Sequence, residues 1–185
     1  MVHGEIGVND IAAQIISTER LDLIPLRVDH SEEMAAVLSD PALYRFIGGS
    51  PDSAADLCSR YRRLTAGSPD PGVSWLNWVI RLCDESCLTG MVQATIGPGE
   101  HGRIAEIAWM VGTPWQRRGI GAEATRGLVD WLSRQPNVQA VIAHIHPEHL
   151  ASAAVATAAG LTATSCQHEG EIRWHRSVGP ARLNS

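Results

Sequence analysis

Apolar positions along the chain recur with two periods, every second residue in some segments and every third or fourth in others. The first spacing predicts half-buried strands, and the second predicts amphipathic helices. Three of the strands follow one another with only short turns between them, which indicates an antiparallel meander rather than a doubly wound parallel sheet. The predicted fold class is therefore α/β of the mixed, α+β kind. We predict strands over residues 16–25, 75–82, 89–96, 104–111, 138–145, 161–165 and 171–177, and helices over residues 31–38, 54–64, 119–132 and 150–159.

The most distinctive local pattern lies where the strand over residues 104–111 gives way to a helix. The chain there reads Gln116-Arg117-Arg118-Gly119-Ile120-Gly121-Ala122-Glu123. The first turn of a helix leaves backbone N–H groups without partners and carries partial positive charge, and glycines let those groups approach an anion. Arg117 and Arg118 add formal charge. The segment is therefore predicted to bind the phosphates of a nucleotide-like molecule.

Two better-known phosphate motifs do not fit this segment. A P-loop needs Lys and then Ser or Thr after its last glycine, whereas Gly121 is followed by Ala122 and Glu123, and the sequence contains no lysine. A dinucleotide-binding fingerprint needs a third glycine and an acidic residue at the end of the following strand. The next predicted strand ends in histidines instead. Both of these nucleotide-binding classes are thus excluded.

The stretch from Val111 to Gly121 resembles the acetyl-CoA pyrophosphate loop, Gln-x-x-Gly-x-Gly/Ala, of the GNAT superfamily of N-acyltransferases. Five further segments resemble the branch that contains the ribosomal-protein-alanine acetyltransferases: Thr18-Glu19-Arg20-Leu21, Ser39-Asp40-Pro41, Ile47-Gly48-Gly49, Ser152-x-x-Val155 and Ala159-Gly160-Leu161. The likeness spans residues 18–176. It implies a GNAT-like fold, with a mixed, mostly antiparallel sheet of six to seven strands, about four flanking helices and a central strand pair that splays apart.

The resemblance also implies the acyl donor, acetyl-CoA, and the residues that hold it. In this family the pantetheine arm slots into the gap between the splayed strands, where backbone N–H polarises the thioester carbonyl. His149 stands where the related branch usually has an Asn that contacts this arm, and Ser152 matches a recurrent serine. The implied cofactor-binding residues are Met110, Val111, Gln116, Arg117, Arg118, Gly119, Ile120, Gly121, Ala122, His149 and Ser152.

Transfer of acetyl to an amine needs a base, and Glu106 is the first candidate. Strand alternation puts Glu106 on the face opposite Ile107, Trp109 and Val111, near the middle of a central strand. An unpaired carboxylate is costly in such a place. Many relatives carry a glutamate at the matching position, which implies that Glu106 takes the amine's proton directly or through water. The alternative is a structural glutamate paired with Arg103 or another arginine.

Three histidines at the end of the strand over residues 138–145 are further candidates. Alternation places His144 and His146 on one face, and His149 follows. An imidazole titrates near neutrality, so His146 or His149 is a second candidate base or proton shuttle. The His-x-His-x-x-His spacing also invites a zinc interpretation. Because no Cys or Asp lies nearby, we expect no metal and assign at least one ring to the acceptor pocket.

Ser152 is the candidate for protonating the departing thiolate. Many GNAT enzymes use a tyrosine in the last helix for this step, but residues 150–159 contain only Ser152 and Thr157 as hydroxyl groups. Two alternatives remain open. One is that Ser152 serves as a helix N-cap. The other is that solvent protonates the thiolate.

Composition bounds the setting of this chemistry. The 185 residues suit one domain, predicted over residues 18–178 between an arm over 1–17 and a tail over 179–185. The net charge of −5 argues against a nucleic-acid partner and favours a cationic substrate. We expect no membrane partner, because no apolar run is long enough to span a bilayer. The four cysteines lack C-x-x-C spacing and no leader-like segment is evident, so we expect a cytoplasmic protein.

The sequence therefore predicts an acetyl-CoA-dependent N-acetyltransferase, monomeric or homodimeric, in which an amine attacks the thioester directly in a ternary complex. The expected acceptor is a small-molecule amine, and a protein N-terminus is the alternative. Acceptor specificity is assigned to residues 44–53 and to the loop before Trp75. A non-catalytic acyl-CoA sensor and a zinc-binding structural protein are the competing hypotheses from other classes.

Overall fold

The computed structural model describes residues 11–179, which form one eight-stranded sheet and four α-helices. The strands are β1 (Ile16–Ser17), β2 (Leu21–Pro25), β3 (Ser74–Leu82), β4 (Cys87–Gly99), β5 (Gly102–Val111), β6 (Val138–Ile145), β7 (Thr162–His168) and β8 (Glu171–Ser177). The helices are α1 (Ser31–Val37), α2 (Ala54–Thr65), α3 (Ile120–Ser133) and α4 (Leu150–Ala158). The order across the sheet is β1-β2-β3-β4-β5-β6-β8-β7, antiparallel throughout except for the pair β5 and β6. The predicted fold class is confirmed.

The strand count of six to seven is corrected to eight, because the segment predicted as one strand over residues 16–25 is divided. The backbone N–H of Thr18 donates to the carbonyl of Leu21 at 2.8 Å, which closes a turn between β1 and β2. The two halves then pair with each other, with Ile16 opposite Leu23. The reversal falls on the polar residues Thr18, Glu19 and Arg20, which the prediction of one strand included.

The central strands β5 and β6 part from each other, as the resemblance implies. They pair in parallel only from Arg103, opposite Val138, to Glu106, opposite Ile142. Beyond Glu106, β5 continues to Val111 paired with β4, and β6 continues to Ile145 paired with β8. The two strand edges that face each other there have no ladder partner, so a wedge-shaped gap opens from Glu106 onward.

Helices cover the two faces of the sheet unequally. On one face, α3 and α4 enclose the main core, against which Ile107, Trp109 and Val111 pack as alternation predicts. On the other face, α1 and α2 pack on β3 and β4 and form a smaller cluster that includes Met110. Glu106 lies on this second face and is exposed although it belongs to a central strand. The sheet is thus open to solvent around Glu106.

The segment that precedes β1 packs onto the core. Ile11 and Ile16 are buried, and the indole N–H of Trp78 donates to the carbonyl of Gln14 at 2.7 Å. Part of the predicted arm over residues 1–17 therefore lies against the sheet. Residues 1–10 of that arm and residues 180–185 of the predicted tail lie outside the described residues, and the domain boundaries remain predictions. Within residues 11–179, no helix combines the length and apolarity needed to cross a bilayer.

Candidate active site

The predicted phosphate segment connects the end of β5 to the start of α3. A short 3-10 turn, Thr113–Trp115, follows β5, and α3 begins at Ile120. Arg117 and Gly119 have φ angles of +61° and +76°, so the chain coils tightly just before the helix. Among residues 11–179, no side-chain hydrogen bond caps the first turn of α3. Its backbone N–H groups therefore keep their capacity to bind an anion.

The loop side chains divide into two that are used inside the protein and one that is not. Gln116 Nε2 donates to the carbonyl of Val111 at 3.0 Å. Arg118 Nη2 pairs with Glu85 Oε1 at 2.5 Å, and this hydrogen bond lowers the pKa of the Glu85 carboxyl. Arg117 makes no hydrogen bond or ion pair with any residue between 11 and 179. Arg117 is therefore the cation that remains available to a bound phosphate.

Glu123 fixes the start of α3 to the turn between β1 and β2. Its Oε1 accepts hydrogen bonds from Thr18 Oγ1 at 2.7 Å and from the backbone N–H of Arg20 at 2.8 Å, and its Oε2 accepts one from Arg20 Nε at 2.7 Å. Burial raises the pKa of Glu123, but these hydrogen bonds outweigh burial and the pKa is lowered overall. Sequence reasoning gave Glu123 no role. Its place in the first helical turn beside the loop is the signal that points to an anchor.

The gap between β5 and β6, the start of α3 and the helix α4 meet at one place. A Cβ on Gly121 would lie 3.4 Å from Val155 Cγ2 of α4 and 3.6 Å from Val111 Cγ2 of β5. Met110 and Val111 lie past Glu106, where β5 has no partner on the β6 side. The structure therefore brings the predicted pantetheine contacts next to the predicted phosphate loop.

The Glu106 carboxylate is hydrogen-bonded to His144. Its Oε1 lies 2.8 Å from Nδ1 of the ring. His144 follows Ile142, the β6 residue opposite Glu106, by two positions, so both side chains share the open face. The Glu106 side chain is 52% exposed and the His144 side chain 17%, so the carboxylate is accessible while the ring is largely enclosed. The pair stands where the two strands begin to part.

A cleft of about 400 Å³ opens beside this pair and is lined by Glu106, His144, Cys166, Gln167, His168 and Arg173. The ring of His168 lies 5.7 Å from that of His144, and Arg173 is directly opposite His144 across β6 and β8. Sequence reasoning did not find the β7 and β8 residues, because their contact depends on β8 inserting between β6 and β7. A larger cavity of about 580 Å³ lies at the start of β3, and the predicted specificity loop before Trp75 lines that cavity instead.

His146 and His149 contact Phe46. The Phe46 ring stacks on His149 with 4.6 Å between centroids and lies 5.2 Å from His146. Burial, with a smaller contribution from His146, lowers the pKa of His149, which keeps this ring neutral at pH 7. Phe46 was missed as an individual site residue. It is the sole phenylalanine of the sequence, and it falls in the segment 44–53 that was assigned to acceptor specificity.

The histidines do not converge on one point. His144 faces Glu106, whereas His146 and His149 lie on Phe46. Across residues 11–179, no group of three or more His, Cys, Asp or Glu side chains has the arrangement needed to hold a metal ion. The His-x-His-x-x-His spacing therefore arises from a strand that runs into a turn.

Ser152 lies in the first turn of α4 beside His149. Its Oγ is 3.4 Å from Nε2 of that ring. The N-cap of α4 is His149 and not Ser152, so the capping alternative does not hold. The candidate catalytic residues thus form two groups, with Ser152, His149 and His146 at the N-terminus of α4, and Glu106, paired with His144, at the base of the strand gap.

Comparison with known proteins gives a family model and similar folds. Residues 20–162 match the model for the acetyltransferase (GNAT) domain. No curated protein matches. A GNAT-family acetyltransferase from Bacillus anthracis is similar in structure, with a TM-score of 0.73 and 19% identity over 89% of this chain and 98% of that chain. RimL, the ribosomal L7/L12 alpha-N-protein acetyltransferase in complex with coenzyme A, is similar with a TM-score of 0.73 and 17% identity, over 89% of this chain and 98% of that chain. The microcin C7 self-immunity acetyltransferase MccE, in complex with acetyl-CoA and AMP, is similar with a TM-score of 0.71 and 14% identity, over 87% of this chain and 94% of that chain.

Proposed function

The chain belongs to the GNAT acetyltransferase family, and we propose that it transfers acetyl from acetyl-CoA to the primary amine of a small molecule by direct attack in a ternary complex. The observation that carries this proposal is the Glu106–His144 pair. It stands at the base of the gap between β5 and β6, with an open cleft beside it. The pairing of β5 with β6 ends at this point, so the carboxylate is presented to the gap rather than enclosed between paired strands.

Acetyl-CoA binds along the gap and the loop that follows it. The pyrophosphate lies against the uncapped N–H groups of Gly119, Ile120, Gly121 and Ala122, with Arg117 as the added cation. The pantetheine arm pairs with the backbone of Met110 and Val111, where β5 has no β6 partner and where Gln116 already donates to the Val111 carbonyl. One of these N–H groups polarises the thioester carbonyl. The structures of RimL with coenzyme A and of MccE with acetyl-CoA support this choice of donor.

Glu106 acts as the general base. The amine nitrogen attacks the thioester carbon, and its proton passes to the accessible carboxylate of Glu106, directly or through one water. His144 holds the carboxylate through Oε1, which leaves Oε2 for the substrate. Bringing both substrates together at this point supplies several kcal/mol of the barrier, about 7–11 kcal/mol at the best alignment. In this scheme His146 and His149 have no base role.

Ser152 stabilises the departing thiolate. The lowered pKa of His149 makes this ring a poor proton source at pH 7, because little of it is protonated. In the tautomer that carries its proton on Nε2, neutral His149 donates to Ser152 Oγ, which frees the serine hydroxyl to point at the sulfur. Solvent then supplies the proton that completes the free thiol. Phe46 covers one face of the His149 ring.

A small-molecule acceptor fits the cleft of about 400 Å³ next to Glu106. A protein N-terminus is the second candidate, and the structural similarity to RimL favours it. The four cysteines, all free in the described residues, support a cytoplasmic setting.

The test is a thiol-release assay with acetyl-CoA and a library of small primary amines, run beside short peptides with free N-termini. We expect release with at least one small amine and a product heavier by one acetyl group. Release with peptides alone would make the protein N-terminus the acceptor. Tight acetyl-CoA binding without release for any acceptor would favour the non-catalytic sensor.

A further inference from the structure

The cleft beside the proposed base contains one carboxylate and one guanidinium. Glu106 lies on the β5 side, and Arg173 lies on β8, across His144 of β6. By strand register the two positions are two strands apart and two residues offset, which is about 10 Å across the sheet and about 7 Å along it. Both side chains line the same cleft and are long enough to approach a shared ligand from opposite ends.

Arg173 is unlike the arginines that stabilise the fold. Arg20, Arg81 and Arg118 each pair with a carboxylate. The backbone carbonyl of Arg173 accepts a hydrogen bond from Thr164 Oγ1 at 2.7 Å, but its guanidinium makes no hydrogen bond or ion pair with any described residue. It is also partly buried. A half-enclosed guanidinium without a counter-charge presents its planar donors to a carboxylate.

Glu106 has the complementary property. Its carboxylate accepts one hydrogen bond from a histidine, and half of the side chain is exposed to the cleft. A cationic amine approaching Glu106 gains an opposite charge, and it is then in position to lose its proton to the same group. The cleft therefore offers an anion to one end of a ligand and a cation to the other.

From this arrangement we infer that the acceptor is an amino acid or a closely related amino carboxylate, whose amine lies at Glu106 and whose carboxylate lies on Arg173. The inference rests on the proposed function and adds the class of its acceptor. During transfer the ammonium gives one proton to Glu106 and becomes the neutral amine, the nitrogen bonds to the acetyl carbon and the carbon–sulfur bond breaks. The nitrogen's second proton passes to solvent, and solvent protonates the departing thiolate, so coenzyme A is released as the thiol. The acceptor's carboxylate stays unchanged and serves only to position the amine. Arg173 is thus a specificity-determining residue.

The experiment compares matched acceptors that differ only in charge. Each α-, β- and γ-amino acid of a panel is assayed beside its own carboxamide, with kcat/KM measured by thiol release. We expect at least one amino acid to exceed its amide by about 10- to 100-fold, because a hydrogen-bonded charge pair replaces a neutral contact. Arg173→Gln is expected to remove this preference, mainly by raising KM for the acid.

The matched control is Arg134→Gln, which removes one exposed arginine at the end of α3. It is expected to keep both the activity and the acid-over-amide preference. Acetyl-CoA affinity, measured for each variant, reports whether the fold and the cofactor site are intact.

Several results would overturn the inference and leave the proposed function standing. These are amides or peptides accepted as well as free amino acids, a preference that survives in Arg173→Gln, or turnover of simple amines with no amino acid accepted. A wild-type protein that does not bind acetyl-CoA is a different outcome, and it would contradict the proposed function itself.

Discussion

The segment from Val111 to Glu123 is held in place by the protein's own contacts, with Arg117 as the exception, whereas the open face around Glu106 leaves its charged groups accessible to a ligand. On the first side, Gln116 binds β5, Arg118 pairs with Glu85 and Glu123 is tied to the β1–β2 turn. On the second side, Glu106 is half exposed and the Arg173 guanidinium has no partner among residues 11–179.

This difference matches what each side is proposed to bind. A cofactor that is common to a whole family needs one rigid cradle, which a short continuous segment supplies. An acceptor that varies within the family needs side chains from several strands, here β5, β6, β7 and β8. Substitutions in the phosphate loop should therefore change mainly the affinity for the cofactor, and substitutions around Glu106 should change mainly the rate of acetyl transfer.

The largest effect is expected from Glu106→Gln, which removes the proposed base and keeps the shape of the side chain. Transfer should slow by about 10²- to 10⁴-fold because the amine's proton loses its acceptor. Acetyl-CoA affinity should stay within about twofold of wild type, since Glu106 lies outside the phosphate loop. Steady-state thiol release and calorimetric titration measure the two quantities.

Glu100→Gln, in the turn between β4 and β5, is the matched control and should leave both quantities unchanged. A rate for Glu106→Gln within a few-fold of wild type would move the base role to a histidine.

A substitution on the cofactor side should show the reverse pattern. Gly121→Asp places a carboxylate between Val111 and Val155, next to the proposed pyrophosphate, and should weaken acetyl-CoA binding by at least about 100-fold. Gly121→Ala is the control, because its Cβ would make only ordinary contacts of 3.4 Å and 3.6 Å. Equal affinities for the two variants would mean that the phosphate loop is misassigned.

A smaller effect is expected at Ser152, in the first turn of α4. Ser152→Ala removes the hydroxyl proposed to stabilise the thiolate and should lower kcat by about 3- to 10-fold, the range of one hydrogen bond. Thr157→Ala in the same helix removes a hydroxyl that donates to the carbonyl of Ala153 at 2.9 Å, so it tests for a general effect on α4. An identical loss of kcat in both variants would assign Ser152 a purely structural role.

The smallest effect concerns pH and His149. Because burial lowers its pKa, the unfolded chain binds more protons than the folded protein near this group, so stability should fall as pH drops below about 6.5. His149→Asn should show a weaker fall between pH 6.5 and 5. Burial lowers the pKa of His30 as well, and this contribution is shared by both proteins. Chemical denaturation at a series of pH values measures the difference, and parallel curves would contradict it.

The secondary structure around the proposed cofactor site could be predicted from the sequence, because it depends on the pattern of neighbouring residues. The helix predicted over residues 119–132 is observed over Ile120–Ser133, and the strand before it ends at Val111 as predicted. The splayed pair followed from the family resemblance and was confirmed by pairing that stops at Glu106. What escaped prediction on this side is a distant tether, the Glu123 contacts to Thr18 and Arg20.

The arrangement of residues around the proposed acceptor cleft could be predicted from the sequence only in part. Alternation placed Glu106 on the correct face, but its partner is His144, whereas the partner suggested from the sequence was an arginine. Arg173 and His168 were missed because their closeness depends on strand order, with β8 next to β6. Local periodicity gives the faces of a strand but not its neighbours. The stacking of Phe46 on His149 was hidden for the same reason.

The most direct test of the account is a calorimetric titration of the purified protein with acetyl-CoA and, separately, with NAD. Both ligands carry a pyrophosphate and an adenosine, but only acetyl-CoA has a pantetheine arm to fill the gap between β5 and β6. The account predicts tight binding of one acetyl-CoA per chain and no measurable binding of NAD. Absence of acetyl-CoA binding, or equal binding of both, would contradict the assignment of residues 116–122 and of the strand gap to this cofactor.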